Sequence, residues 1–197
     1  MKPVYTVGYV SYRPEELIST LRPFGVSCLV DVRSNPHSAY YTDFNAEAFS
    51  RQVERAGMQY RNYAREFGAR QEDPRYYHPE GYLDFSLFTR SAAFEEGVEK
   101  LRRGMALGYV FALMCAEKDP MNCHRAIMIG RALKDRGFPV HHILYPDRIE
   151  TQEALEQRAI GDQLSFFPPE QRIEEFYREQ NRRIGFRPDT QKEGLQG

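Results

Sequence analysis

Residues Tyr109 to Arg136 read YVFALMCAEKDPMNCHRAIMIGRALKDR. Tyr109 to Met114 is a short apolar run, the pattern of a strand covered on both faces. Cys115 ends the run, and the polar loop Ala116-Glu117-Lys118-Asp119 follows. Asp119-Pro120 is a helix-start signal, with Asp as N-cap and Pro at the first helical position. Ala126, Ile129, Gly130 and Leu133 then recur at helical spacing and predict a face turned to a sheet. Gly137 closes the helix, with Pro139 just beyond. A buried strand passing through a loop into a helix is one β-α unit. The fold is decided by whether the rest of the chain repeats it.

The N-terminal half does repeat it. Val4 to Val7 reads as a strand closed by Gly8-Tyr9, and Leu17, Ile18 and Leu21 mark a helix that stops at Gly25. Ser27 to Val32 is a second strand, interrupted by Asp31 and followed by the turn Arg33-Ser34-Asn35-Pro36. Asp43 or Asn45 caps a helix carrying Phe49, Val53 and Ala56, and Met58 to Tyr63 is a weaker third strand. Ser91 caps a helix with Phe94, Val98 and Leu101, and Val140 to Leu144 is a fifth strand. Helices around Gln152 to Ala159 and Glu170 to Ile184 complete the pattern. The expectation is an α/β fold: a three-layer, Rossmann-like arrangement with a mostly parallel sheet of about five strands and helices on both faces. Residues 1–150 would form the core domain, 151–187 a helical extension packed on it, and 188–197 a disordered tail.

Bulk composition narrows the function classes. A chain of 197 residues with net charge −1 is one ordinary domain, long enough to bury a core. That charge gives no bulk attraction for nucleic acid or an anionic membrane. Three cysteines, an odd number, argue against a disulfide framework and for a reducing compartment, so a cytoplasmic location is expected. The N-terminus enters a strand directly, with no signal-peptide pattern, and no apolar run has the length of a membrane span. The sequence names no cofactor and no oligomeric state.

Ligands of open parallel sheets bind outside the carboxyl ends of the strands. Those ends carry Gly8, Tyr9 and Ser11 on the first strand, Asp31, Arg33 and Ser34 on the second, and Cys115 and Glu117 on the fourth. Cys123, His124 and Arg125 add the start of the following helix, whose free N–H groups and positive dipole end favour an anion or a thiolate. From Ala64 to Arg90 the β-α pattern breaks into a long irregular segment rich in Tyr, Phe and Arg, a length that points to a functional or mobile segment, read as a packed flap ahead of a base-stacking platform.

These motifs carry a family resemblance. Thr6-Val7-Gly8-Tyr9, LVDVRS at Leu29 to Ser34 with Pro36, GARQEDPRYYHPEGYLDFS, CAEKDPMNCHR at Cys115 to Arg125 and HHIL at His141 together resemble the uncharacterised family known as domain of unknown function 488. The resemblance runs from about Val4 to Leu144 and implies a fold and a set of motif residues, with no established reaction. Gly68-Ala69 departs from the double glycine usual in that family.

Four readings of the rim compete. The strand–Cys–loop–Arg–helix layout is similar to rhodaneses and cysteine phosphatases. However, nine residues separate Cys115 from Arg125, and Glu117 and Asp119 would repel a phosphate in that loop. A metal site would use Cys115, Cys123 and His124 with Glu117, but the spacing matches no common zinc motif, and neighbouring helical side chains diverge by about 100°. No metal ligand is therefore assigned. Hydrolytic or transferase chemistry on a nucleotide or nucleic acid would use Glu117 or Asp31 as base, His124 as acid or base, and Arg33 and Arg125 as phosphate clamps. Tyr76 and its aromatic neighbours, interleaved with Arg70, would stack bases, although five arginines from Arg61 to Arg90 meet five carboxylates. The last reading is a non-catalytic domain binding a nucleic acid or small ligand.

The expectation drawn is an enzyme with a Cys/His/Arg/carboxylate pocket at the rim, a hydrolase or transferase acting on a nucleotide-like or phosphorylated substrate. Its catalytic groups would be Glu117, Cys123, His124 and Asp31. Its substrate-binding groups would be Gly8, Tyr9, Arg33, Ser34, Cys115, Arg125, Arg70 and Tyr76. Cys28 reads as a small buried apolar residue, and His141 and His142 as core or rim histidines rather than ligands.

Overall fold

The apolar run after Tyr109 is a strand, β4 in chain order (Phe111–Cys115), and every residue of it is buried. Its neighbours are β1 (Val4–Gly8) and β2 (Cys28–Asp31), and β3 (Gln59–Asn62) lies outside β2. On the other side of β1 come β5 (Val140–Leu144) and β6 (Arg148–Thr151). The sheet order is β3-β2-β4-β1-β5-β6, parallel throughout except for the antiparallel β5–β6 pair. This computed structural model describes residues 2–161 and 166–188. The tail expected over 188–197 lies, Pro188 apart, outside the described residues.

The period-2 geometry of the strands sorts their side chains into two cores. Leu29, Ala112 and Met114 face α1 (Pro14–Leu21) and α2 (Ala46–Arg55), where they meet Leu17, Leu21, Phe49 and Val53. After β3 the irregular segment contains two single-turn helices, α3 (Ala64–Phe67) and α4 (Phe85–Phe88). Val30, Phe111 and Leu113 face the opposite way, onto α5 (Ala92–Ala106) and the helix after β4. Burying a side chain such as Leu113 completely contributes roughly 1.5–3 kcal/mol. Both faces of β2, β4 and β1 are covered, which is why their sequences are continuous apolar runs and not alternating ones.

Three local expectations change. The sheet has six strands rather than about five, because Arg148–Thr151 folds back on β5 after the turn at Tyr145, and β6 runs across the expected boundary at 150/151. Asn45 occupies the N-cap of α2, yet its Oδ1 accepts from Ser38 N at 2.7 Å instead of from its own helix. The helix expected from Pro120 is broken into parts. A 3-10 turn, Pro120–Asn122, is capped by Asp119, whose side chain accepts from Met121 N. Cys123 is extended, a π-helical segment follows at Arg125–Gly130, and α6 (Arg131–Asp135) completes the helix. All six π-helical residues are buried. The wider π turn lets the segment present its whole circumference to protein, and such segments concentrate at functional sites.

The last elements close over this segment. From α7 (Gln152–Ile160), Gln152 donates to the carbonyl of Ala126 and to Tyr177 Oη, and Tyr177 belongs to α8 (Pro169–Ile184). Gln152 Oε1 accepts from His142 Nε2 at 2.8 Å, and His142 Nδ1 faces Thr6 Oγ1 at 2.8 Å. Tyr177 Oη donates to Glu156. Gln152 Oε1 accepts, so Nε2 carries a hydrogen, and in the neutral imidazole Nδ1 accepts from the Thr6 hydroxyl, so both ring nitrogens are satisfied. Among the described residues, no helix is long and apolar enough to cross a membrane.

Burial, with the positive charge of Arg125 adding to it, depresses the His142 pKa to about 3. The unfolded chain protonates this histidine near pH 6.5, so between those values the unfolded state binds the extra proton and stability rises with pH. His142 should therefore contribute its full stability above about pH 6.5 and lose roughly 1.4 kcal/mol per unit below it. Urea melts between pH 7 and 4 should show this slope in the wild type and a shallower one in His142→Gln.

Candidate functional site

β1 leads through α1 to β2 on one side, whereas β4 leads through α6 to β5 on the other. β1 and β4 are adjacent, so the direction of winding reverses between them. A crevice opens at the carboxyl ends of two strands at such a point. Gly8 pairs with Cys115 in register there. The motif at the end of β4 therefore lies at the topological switch of the sheet.

The loop after Cys115 turns back over the end of β1. Val10 N donates to Ala116 O at 3.1 Å. A Cβ on Gly8 would lie 1.8 Å from the Glu117 carbonyl oxygen and 3.2 Å from Arg125 Nη2, so only glycine allows the loop this close. Arg125 is fully buried. Its Nη1 donates to Glu117 O at 2.6 Å and its Nη2 to Lys118 O at 3.1 Å, while Nε is buried without a partner. The guanidinium thus acts as an internal clamp that folds the loop back and returns Cys123 to the side of Cys115.

Four chemically active groups meet there. Cys115 Sγ lies 3.8 Å from His124 Nδ1. Cys123 Sγ lies 2.7 Å from Glu117 Oε2, and one proton serves that pair. The two sulfurs and a ring nitrogen of His124 are all within 4.8 Å of one another. His124 Nε2 donates to Val32 O at 3.1 Å, which ties the cluster to the end of β2. Cys115, Cys123 and His124 are buried, whereas Glu117 reaches the surface.

Protonation is shared unevenly. Cys115 is pushed well up, first by its hydrogen bond with Cys123 and then by burial. Cys123 goes well down: burial opposes this most, but the Cys115 hydrogen bond, the Arg125 charge and His124 outweigh it. Burial acts to lower His124, yet the hydrogen bond and charge of Cys123, with Glu117, raise it. Glu117 is raised by burial and by the charge of Cys123.

A second polar group sits one strand away. Asp31 is completely buried and accepts from Arg33 N, Nε and Nη2, the last at 2.5 Å. Tyr60 Oη donates to Asp31 Oδ2 at 2.5 Å, and burial beside that carboxylate pushes Tyr60 strongly up. Arg33 also donates to Phe44 O and lies over the Tyr9 ring at 5.0 Å, and Tyr9 in turn stacks on Phe44. Asp31 and Arg33 are therefore committed to each other, and neither Arg33 nor Arg125 is an open cation at the rim.

The remaining expected residues are more dispersed. Ser34 Oγ accepts from Arg70 N at 2.8 Å, bringing the flap onto the rim. A Cβ on Gly68 would lie 2.7 Å from that same Ser34 Oγ and 2.3 Å from Ala64 O, so Gly68 makes the close approach here, with alanine accommodated at position 69. The Arg70 guanidinium turns away to stack over Phe186 at 4.7 Å, and Tyr76 packs edge-on to Phe88. Lys118, exposed and over the Tyr145 ring at 5.8 Å, is a rim cation that the sequence reading missed, as it missed the Val32 carbonyl; Tyr60, expected among the base-stacking aromatics, instead serves Asp31. Tyr60 becomes a partner of Asp31 only through strand pairing. A backbone carbonyl carries no residue-type signal at all.

Arg33→Met should leave Asp31 buried without its counter-charge and destabilise the fold by about 3–5 kcal/mol. Tyr60→Phe removes one hydrogen bond to the same carboxylate and should cost about 1.5–3 kcal/mol. Equilibrium denaturation of the two variants checks the order; equal losses would mean that the ion pair is not what holds Asp31.

No curated protein and no solved structure matches the chain. The family described as Domain of unknown function DUF488 matches residues 13–132, a span from α1 through both core cysteines of the rim to α6. The chain is a member of the DUF488 family.

Proposed function

We propose that this chain is an enzyme whose reaction centre is formed by Cys115, Glu117, Cys123 and His124, acting by hydrolysis or group transfer on a nucleotide-like or phosphorylated substrate. The observation that carries the reading is the meeting of these four groups at the β1/β4 switch, on a loop clamped from inside by Arg125. A purely structural strand-to-helix connection has no need of two thiols, an imidazole and a carboxylate in one buried cluster. Glu117 is the member with access to solvent, which suits it to take a proton from an incoming nucleophile. Asp31, held by Arg33 and Tyr60, supports the floor of the site. Exposed aromatic and cationic groups stand at the strand ends: Lys118 lies over the Tyr145 ring at 5.8 Å, and Tyr41 packs edge-on to Tyr9. An aromatic face beside a cation suits a base or sugar with an attached phosphate.

Glu117→Gln should lower turnover by about 10²–10⁴-fold while leaving substrate affinity close to wild type. Lys118→Ala should weaken affinity with less effect on the chemical step. A panel of nucleotides, phosphate esters and single-stranded nucleic acids, read by product formation and by calorimetry, is the measurement. Tight binding of one of these with no turnover would replace the enzyme with the non-catalytic binding domain.

A further inference from the structure

We propose that Cys115, Cys123 and His124 bind one zinc ion, with Glu117 beside a fourth coordination position open to water or substrate. The inference gives a chemical identity to the reaction centre proposed above and rests on that reading for its consequence in catalysis, though not for the binding itself.

The first support is the donor set. Two sulfurs and one imidazole nitrogen lie within 4.8 Å of one another, and all three residues are more than nine-tenths buried. A tetrahedral ion with Zn–S of about 2.3 Å and Zn–N of about 2.1 Å holds its donors roughly 3.6 Å apart, and Cys115 Sγ lies 3.8 Å from His124 Nδ1. Read as one helix, the stretch would splay Cys123 and His124 apart. The backbone removes that obstacle: Cys123 is extended at φ −135, ψ 137, and the helical residues begin after it.

The second support is the tautomer of His124. Val32 O can only accept, so Nε2 carries a hydrogen, and in the neutral ring Nδ1 offers its lone pair into the cluster. A metal-binding histidine has this arrangement, with the distal N–H donating to a carbonyl that fixes the ring.

The third is charge. Arg125 is a completely buried guanidinium whose terminal nitrogens meet only carbonyls and whose Nε is unpartnered. Among the described residues, no carboxylate pairs with it. A buried cation without an anion is costly. Zinc deprotonates the thiols that it binds. Two thiolates then offset the dication, and Glu117, whose carbonyl Arg125 already holds, offsets the guanidinium. Zinc bound with loss of both thiol protons therefore adds no net charge to the buried site beside Arg125.

Three protein donors and not four mark a catalytic site more than a structural one. The bound water would give a proton to the Glu117 carboxylate, and the resulting hydroxide would attack the substrate. The leaving group would take up that proton as its bond breaks, so no oxidant or reductant is required. Two thiolates, one imidazole and a glutamate that is not a ligand also make up the zinc site with which nucleobase deaminases activate water.

The test uses the full chain, stripped with a chelator and titrated with Zn²⁺ against a chromophoric competing chelator, with native mass spectrometry for stoichiometry and Co²⁺ as a spectroscopic probe. One zinc per chain is expected. Cys115→Ser and Cys123→Ser should weaken it by at least about 100-fold, while Cys28→Ser, at the opposite end of β2, should bind as the wild type does. The wild-type cobalt complex should show thiolate-to-metal charge transfer and tetrahedral d–d bands, a readout that does not depend on any variant folding. Absence of those bands, or cysteine variants that fold and titrate like the wild type, would overturn the metal site. Turnover by metal-free protein would overturn the role of the ion in catalysis while leaving the reaction centre standing. Stoichiometric zinc without turnover of any substrate would uphold the metal site and overturn the enzymatic reading.

Discussion

The buried guanidinium of Arg125 is the constraint on which the rim depends. It donates to the carbonyls of Glu117 and Lys118 from beneath the loop, and the loop can reach it only because Gly8 has no side chain. A buried Arg left without acceptors costs several kcal/mol, so the loop cannot lift without exposing that cost. The seven residues between Cys115 and Cys123 are thereby forced into a tight return, and the two thiols meet. The π-helical segment that begins at Arg125 serves the same end, because it buries the whole turn that carries the clamp.

Around this clamp the sheet supplies rigid walls. The Asp31–Arg33–Tyr60 group joins the end of β2 to β3 and to the loop around Phe44, and His124 joins the same strand end to the helix. On the far side, the chain of hydrogen bonds from Thr6 through His142, Gln152 and Tyr177 to Glu156 ties β1 and β5 to the C-terminal helices. Every member of that chain has a partner, which is the condition under which a buried polar network rigidifies rather than weakens a core. A site built on strand ends and held from both sides keeps its groups in place better than one carried on free loops.

Most of the architecture was legible from apolar periodicity. Continuous runs at Val4, Leu29 and Phe111 could be read as doubly covered strands, and the helical spacing of Leu17, Phe49 and Phe94 could be read as amphipathic faces, because burial on both sides of a sheet leaves no other pattern. β6 was not legible: Arg148-Ile149-Glu150-Thr151 is a short, polar edge strand whose pairing is made by the turn before it and not by its own composition. The π-helical segment was hidden for a related reason, since its residues also fit an α-helical face and only the packing around them selects the wider turn.

The sequence by itself determined the α/β fold, the family, and the fact that Cys115, Glu117, Cys123, His124 and Arg125 belong to one strand-to-helix connection. These depend on local spacing and on backbone geometry that every chain shares. The tertiary structure alone decided what each group does there. Arg33 and Arg125 look like open cations in the sequence, but one is neutralised by Asp31 and the other is spent on loop carbonyls. Cys123 and His124 look divergent on a helix, but an extended residue brings them to Cys115. Partner choice among buried polar groups is fixed by desolvation, which penalises every unpaired donor and acceptor, and desolvation acts only once the chain has closed around them.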